Sequence, residues 1–529
     1  MKPAVAWLAG RVPPFAVWVM SGISIGAIVA LGPIRMMSPL EFGYGDGLML
    51  DQLVRVAHGR PLYVAPSLEF IPLAYMPLYT YLVAPLVAWF GPQFWPGRLV
   101  SLLSSLGLAA LIATVIRREG GRWAFAVAGA GLFLMGQGFS RGSYDTIRPD
   151  PLMLLLAFAG LATLRFSRGN AGAVGAAALL SAAFFTKQHA LCFGVAALLH
   201  LVVSDRRRLP AFGIALLVGC AGGFALLSLL MGPWFSFYVY DVPSHWSQWS
   251  MVRMRGYLVG DLFGQLGALS MPALLSLMLP MAPWRGPAGL WWWVGLGGVA
   301  TGLLATLDPW AYYHVLIPTL AAFAILGPLA LTRLIEWLSG GPGSATPNSG
   351  LSIACVVLVL QFVALLYPVR SMLPVAGAPA ARAAFDARLR EFPGPVILPS
   401  HGFFAWSAGK GTALHTLPLD DVLRAPGNRL LAHDPLAIDR LFDRLRRGPG
   451  RPIIVSDTTL EHTGDRSAPL WASLAGSYRL SGRLGELSVS LRPRIGYRGA
   501  PSYIYEPIEP ADSTAAPPAA AAPPAGARR

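Results

Sequence analysis

IPLAYMPLYTYLVAPLVAWFG, residues 71–91, decides how the whole chain threads its membrane. The stretch is apolar enough to span, but it carries Pro72, Pro77 and Pro85 together with Tyr75, Tyr79 and Tyr81. Around it lie eleven apolar runs of helix-spanning length: 14–34, 99–116, 123–140, 150–164, 171–185, 188–203, 210–231, 259–281, 287–306, 312–335 and 351–368. If residues 71–91 stay on one side, the connectors with Arg117, Arg118, Arg122, Arg165, Arg168, Arg206, Arg207, Arg208, Arg285 and Arg333 all share a face with Lys2 and Arg11. Positive connectors stay in the cytoplasm, so this arrangement has a strong inward bias. If residues 71–91 cross, a thinner set faces inward instead: Arg98, Arg141, Arg148, Lys187, Arg253, Arg255 and Arg370. The first arrangement is favoured, which makes residues 71–91 a juxtamembrane or re-entrant helix.

Composition agrees with this class. Of 529 residues, 54% are hydrophobic and only 13% charged, against about 25% charged in soluble domains. The first run is long and has no small-residue cleavage site at its end, so a retained anchor is expected rather than a signal peptide. The net charge of +15 is then mostly a topology signal, and no nucleic-acid motif accompanies it. Cys192, Cys220 and Cys355 all fall inside apolar runs, where cysteine behaves as a small hydrophobe; no disulfide or zinc framework is implied.

Past residue 370 the pattern becomes that of a soluble α/β unit. PVILPS (395–400) and RPIIVSD (451–457) read as strands, DPLAIDRLFDRLRR (434–447) between them reads as a helix, and PSYIYEP (501–507) closes the unit. An odd number of spans from a cytoplasmic N-terminus puts this unit outside. AGKGT (408–412) lacks the glycine spacing of a phosphate loop. The expected architecture is an α-helical polytopic membrane protein. About eleven transmembrane helices and a juxtamembrane helix fill residues 1–370, a small extracytoplasmic α/β domain fills 371–510, and an Ala/Pro-rich tail, 511–529, is expected to be disordered.

Charged residues stranded between apolar spans are costly, which makes each a functional candidate. The first outer loop, EFGYGDGLMLDQLVRVAHGRPLY (41–63), contains a short amphipathic helix from Gly47 to His58, with Asp46 just before it as N-cap or catalytic carboxylate. Asp51 lies about 140° around that helix from Asp46, so one is expected to be catalytic and the other structural, substrate-binding or solvent-facing. The second outer loop, RGSYDTIRPDP (141–151), holds Arg141, Asp145, Arg148 and Asp150. It reads either as a self-neutralising ion-pair loop or as a site where Arg148 and Asp150 orient a hydroxyl or hold a divalent cation. Lys187, in FFTKQHAL (184–191), is a snorkelling interfacial lysine or a phosphate contact, and His189 beside it reads as a satisfied polar residue. Arg253 and Arg255 in the aromatic loop 234–256 can reach an anionic headgroup. Tyr312, Tyr313 and His314 in DPWAYYH (308–314) form an aromatic anchor or line a sugar pocket.

These motifs resemble the C-type (GT-C) glycosyltransferases, integral membrane enzymes that use lipid-phosphate-linked sugars. The likeness runs over the whole membrane region. An acid in the first outer loop, Asp46, then a helix, HGRPLY (58–63), PLYTYL (77–82) and GRLVSLL (97–103) look like the aminoarabinose transferase and protein O-mannosyltransferase pattern. RGSYDTIRPDP looks like the second outer-loop acidic motif of oligosaccharyltransferases. Two departures stand out: Gly47 follows Asp46 where O-mannosyltransferase-like members often have a second acid, and Tyr75 and Met76 precede Pro77 where a basic residue is common. The oligosaccharyltransferase acceptor motif is not apparent. The resemblance implies inverting transfer of one sugar from a polyprenyl-phosphate donor to a glycan, lipid or protein acceptor at the outer face of a bacterial inner membrane. Asp46 would be the general base, Arg148 and Asp150 its catalytic partners, and Lys187 with Arg253 or Arg255 the phosphate contacts. No cofactor is required, and a divalent metal stays optional.

Two other classes fit the same spans. A lipid or solute transporter predicts glycine-broken helices in matching halves and charges near the midplane, whereas here the charges cluster at one face without an internal repeat. A non-catalytic envelope assembly protein predicts that a fragment from about residue 375 binds its partner unaided.

Overall fold

The computed structural model describes residues 3–278, 282–311, 313–339, 348–411, 414–495 and 498–508. The expected tail, 511–529, and Tyr312 lie outside the described residues.

Apolar runs become helices because, without water, a backbone satisfies its polar groups only within itself. In order these are α1 (Pro3–Met36), α2 (Gly45–Ala57), α3 (Leu78–Phe90), α4 (Trp95–Arg118), α5 (Trp123–Phe139), α6 (Asp150–Phe166), α7 (Gly169–Thr186) and α8 (Leu191–Ser204). Helical segments Leu209–Met231, Met251–Gln265, Gly267–Leu277, Leu290–Ala305, Ile317–Leu338 and Asn348–Ala364 follow. Among the described residues six helical stretches are long and apolar enough to cross a membrane, and a seventh is formed if a bent pair is counted as one. The other expected spans are helices of 14 to 17 residues, about 21–26 Å long. The protein is a multi-pass membrane protein. Its helices approach closely where side chains are small: a Cβ on Gly160 of α6 would lie 2.9 Å from the Ala176 carbonyl oxygen of α7.

One expected span is different. The run 259–281 is not straight: Met251–Gln265 and Gly267–Leu277 meet at 95°. The π-type bonding of Gly256–Gln265 ends at Leu266, whose φ of −102° and ψ of 15° leave the helix. Hydropathy averages over such a break and cannot register it.

The 13 residues of α3 make about 20 Å of helix, too little for a hydrocarbon layer of about 30 Å. Instead Tyr79, Val83 and Val87 pack with α2 in an apolar cluster that also takes Phe94, Ile147 and, from the C-terminal region, Phe385, Leu389, Phe403 and Phe404. This sandwiching changes the reading of α2. Rather than one apolar face, every residue from Asp46 to Val54 is buried. Asp46 sits inside the first turn instead of capping it, and Asp51, 5% exposed, does not face solvent.

The C-terminal region carries a four-stranded mixed sheet, β1 (Val396–Ile397), β2 (Ile453–Ser456), β3 (Tyr478–Arg483) and β4 (Tyr503–Pro507), in the order β1-β2-β4-β3. β1 and β2 are parallel, and β4 runs antiparallel to both β2 and β3. The two strands expected from sequence are β1 and β2, the closing PSYIYEP forms β4, and the expected helix is Ala437–Arg447. β3, YRLSGR, has only Tyr478 fully buried, so as an edge strand it shows little of the alternation that marks a strand.

Candidate active site

Arg98 organises the first loop from the membrane side. It leaves α4 fully buried, and its guanidinium donates to the carbonyls of Arg35, Ser38 and Leu40 and to Asp46 Oδ2, the last at 2.9 Å. Asp46 also accepts from the Phe42 amide through Oδ2 (3.2 Å) and from the Ile147 amide through Oδ1 (3.0 Å). A carboxylate has about four acceptor sites. Three fixed donors hold Asp46 in one orientation and leave about one acceptor site unused.

The bond to Ile147 begins a short path to a second centre. Arg148 follows, and its guanidinium packs on Gly45, where a Cβ would lie 3.4 Å from Nη2. Asp150 then opens α6 and accepts from Lys187 Nζ at 2.7 Å, both side chains buried. His314, His189 and Arg148 lie within electrostatic reach of this pair. Lys187 Nζ is also 5.6 Å from the Tyr75 ring centroid. Asp150 Oδ2 and His189 Nδ1 are buried and make no hydrogen bond within the protein.

The remaining expected residues are placed elsewhere. Asp145 forms a two-pronged buried ion pair with Arg35 (2.6 and 2.8 Å) and accepts from Gln137 (2.8 Å). Arg35 also ties down the carbonyls of Gly142 and Met372. Arg141, at a left-handed φ of 54°, stacks its guanidinium on Tyr313, 4.7 Å from the ring centroid. Arg253 donates to the carbonyls of Thr306 and Gln248, and Arg255 is exposed on the bent arm. Asp51 has one buried oxygen without a hydrogen bond. Burial, and secondarily the nearby Glu41 carboxyl, push its pKa well above the carboxylate range.

Glu41, His401 and Asp457 were not singled out by sequence. Glu41 Oε2 accepts from His401 Nδ1 at 2.7 Å, and Asp457 Oδ2 from Nε2 at 3.2 Å, all three side chains being 3% exposed or less. The position after Asp46 explains one departure noted above. Any side chain on Gly47 would overlap Glu41 Oε1, so an acid reaches that spot from six residues upstream.

A cavity of about 260 Å³ lined by Val54, Arg55, His58, Arg60, Trp406, Gly409 and Gly411 opens at the far end of α2. It contains none of the charged residues of the two centres described above and is not the candidate site. Among the described residues no group of three or more His, Cys, Asp or Glu side chains is arranged to hold a metal ion.

This helical frame, with its outer loops carrying buried acids under a C-terminal α/β region, has solved counterparts. ArnT from Cupriavidus metallidurans bound to undecaprenyl phosphate superposes with a TM-score of 0.58 at 14% identity, covering 92% of this chain and 97% of its own. The chain has the GT-C glycosyltransferase fold. Two structures of the Archaeoglobus fulgidus oligosaccharyltransferase share this GT-C fold. One, in complex with Zn and sulfate, has a TM-score of 0.55 at 12% identity, covering 88% of this chain and 71% of that one. The other, AglB with an inhibitory peptide and a dolichol-phosphate, has a TM-score of 0.50 at 12% identity, covering 89% and 73%. By sequence, residues 72–231 match the dolichyl-phosphate-mannose-protein mannosyltransferase family. No curated protein sequence matches. In GT-C terms, the matched sequence begins at the 71–91 segment and contains the Asp150–Lys187 pair.

Proposed function

We propose that this protein is an inverting glycosyltransferase that moves one sugar from a polyprenyl-phosphate donor to a glycan, lipid or protein acceptor at the outer face of a bacterial inner membrane. The α/β region from about residue 371 to 510 lies on that face and meets the acceptor. The observation that carries the reading is the adjacency of two functions. A carboxylate fixed by three donors, Asp46, sits beside Arg148, and Arg148 leads directly to the buried Asp150–Lys187 pair. The lipid phosphates in the ArnT and AglB structures support a donor of this class.

In the reaction the acceptor hydroxyl gives its proton to Asp46 as its oxygen attacks the anomeric carbon. The bond from that carbon to the phosphate oxygen breaks on the opposite face. Its electron pair leaves with polyprenyl phosphate, and the anomeric configuration inverts. Lys187 and Arg148 stabilise the departing phosphate as preorganised positive charge, with Asp150 holding Lys187 in place before the donor arrives. Arg255, and Arg253 once freed from its carbonyls, approach the same headgroup from the bent arm. Tyr313 and His314 flank the sugar, with Tyr312 next to them in sequence. Asp51 and Asp145 have no part in the step.

The test is transfer of radiolabelled sugar by purified protein from a panel of polyprenyl-phosphate-linked hexoses and pentoses, wild type beside Asp46→Asn. Transfer by the wild type alone, with donor binding retained in the variant, is the expected result. Turnover by Asp46→Asn would remove the base assignment.

A further inference from the structure

The loop that carries Asp46 is gripped from two sides. Arg98 holds its backbone carbonyls from the membrane side. On the outer side the C-terminal region reaches nearly every residue before α2. Arg382 donates to the Pro39 carbonyl at 2.8 Å, the Ile495 amide to the Phe42 carbonyl at 2.8 Å, and Tyr44 shares a 2.6 Å hydrogen bond with Thr416. At the centre His401 stands between Glu41 and Asp457.

Both ring nitrogens of His401 meet carboxylate oxygens. An ionised carboxylate only accepts, so with Glu41 and Asp457 both ionised the ring carries both protons, although burial raises the pKa of Glu41. Burial alone would lower the pKa of His401, but Asp457 and then Glu41 outweigh it and hold the pKa well above the usual histidine range. The anchored Glu41 immediately precedes Phe42, whose amide donates to Asp46 Oδ2. A continuous chain thus runs Asp457, His401, Glu41, Phe42 amide, Asp46.

We propose that His401 is a positioning residue for the transfer reaction, supplied by the C-terminal region to fix the Glu41–Phe42 segment and, through its amide, the orientation of Asp46. The proposal rests on the reading of Asp46 as base. The titratable groups beside His401 are Glu41 and Tyr44 from the first loop, Asp457 after β2 and His415 before the helix Thr416–Leu423, while Asp46 and Asp51 act on Glu41 and Asp420 acts on Tyr44. His415 is buried beside His401 and held down to about 3, so it stays neutral while His401 is charged.

The experiment uses full-length protein in detergent as wild type, Asp46→Asn, His401→Gln and Asp457→Asn. Hydrogen exchange of peptides covering 39–50 is followed first, since it needs no substrate. Both outer variants are expected to lose protection there while peptides in α5 keep theirs. Equal protection in 39–50 overturns the proposal. Transfer is then measured from undecaprenyl-phosphate-linked mannose, glucose, galactose and arabinose, over pH 5.5 to 9. His401→Gln should lower kcat by about tenfold or more with donor KM within about twofold, and the loss of rate on the alkaline side that tracks His401 deprotonation should vanish. Asp457→Asn, a milder change, should move that alkaline limb to lower pH. A dead Asp46→Asn together with outer variants matching wild type in kcat and pH profile removes the positioning role and leaves the base in place. An active Asp46→Asn removes the base instead, and the exchange result then stands alone.

Discussion

Gly47→Ala is the sharpest test of how this loop is packed. In an exposed helix the change would stabilise by about 0.8–1.0 kcal/mol. Here the new methyl would overlap Glu41 Oε1 and one carbon of the Phe403 ring, and would sit 2.9 Å from the next ring carbon. Neither neighbour has room to move. Phe403 is 3% exposed and packs edge-on to Phe94 at 4.8 Å, and Glu41 is tethered to His401. Overpacking costs about 1–3 kcal/mol, and loss of a charge-assisted hydrogen bond adds about 1.5–3 kcal/mol. Against the helical gain, the net is a destabilisation of about 1.5–5 kcal/mol. For a chain of this length the unfolding entropy is about 1.1 kcal/mol/K, so the thermal midpoint should fall by about 1–5 °C. Thermal unfolding of purified protein in detergent measures it. A double-mutant cycle with Glu41→Ala should show coupling of about 1–2 kcal/mol, because removing Glu41 relieves most of the overlap. A midpoint that rises by the helical increment, or no coupling, would refute the placement of Glu41 against α2.

Lys187→Met should raise donor KM and leave Asp150 buried without its partner, at a cost of about 3–5 kcal/mol; adding Asp150→Asn should recover stability but not transfer, and a single variant with normal donor KM would exclude the phosphate contact. Asp145→Asn should destabilise by about 3–5 kcal/mol through the broken Arg35 pair, with the surviving folded protein keeping its donor KM; a raised KM at unchanged stability would instead make Asp145 a substrate contact. Asp51 is an acid whose pKa is raised in the fold, so its contribution to stability is present below an unfolded pKa of about 3.9 and lost as pH rises through the folded value. Asp51→Asn should therefore gain on wild type in thermal midpoint between pH 5 and pH 8, and parallel profiles would contradict this.

The spans were legible because an apolar run has one low-energy answer in a bilayer, and the loop acids were legible because charge between such runs is costly. Asp150 and Lys187 were each marked for that reason, but not their pairing, since 37 residues and a helix reversal separate them. Arg98 looked like a topology marker at the head of α4, and nothing local reveals that it binds Asp46. Glu41 was in plain view in EFGYGDG, with the same signal as Asp46. His401 and Asp457 had none: their meaning arises from a contact spanning 360 residues. The bend at Leu266 was hidden because hydropathy records composition and not direction.

The shared cluster around α2 bears on how the protein can be rebuilt. Phe403 and Phe404 fill the same apolar space as Leu50, Tyr79 and Phe94, so the C-terminal region is half of a core whose other half lies in the first loop. A fragment beginning near residue 375 would expose that half and aggregate. A chimera that exchanges the C-terminal region to redirect the acceptor would have to exchange residues 38–57 with it. Under the proposed function, acceptor choice and catalytic geometry would be inherited as one module from two distant stretches of the gene.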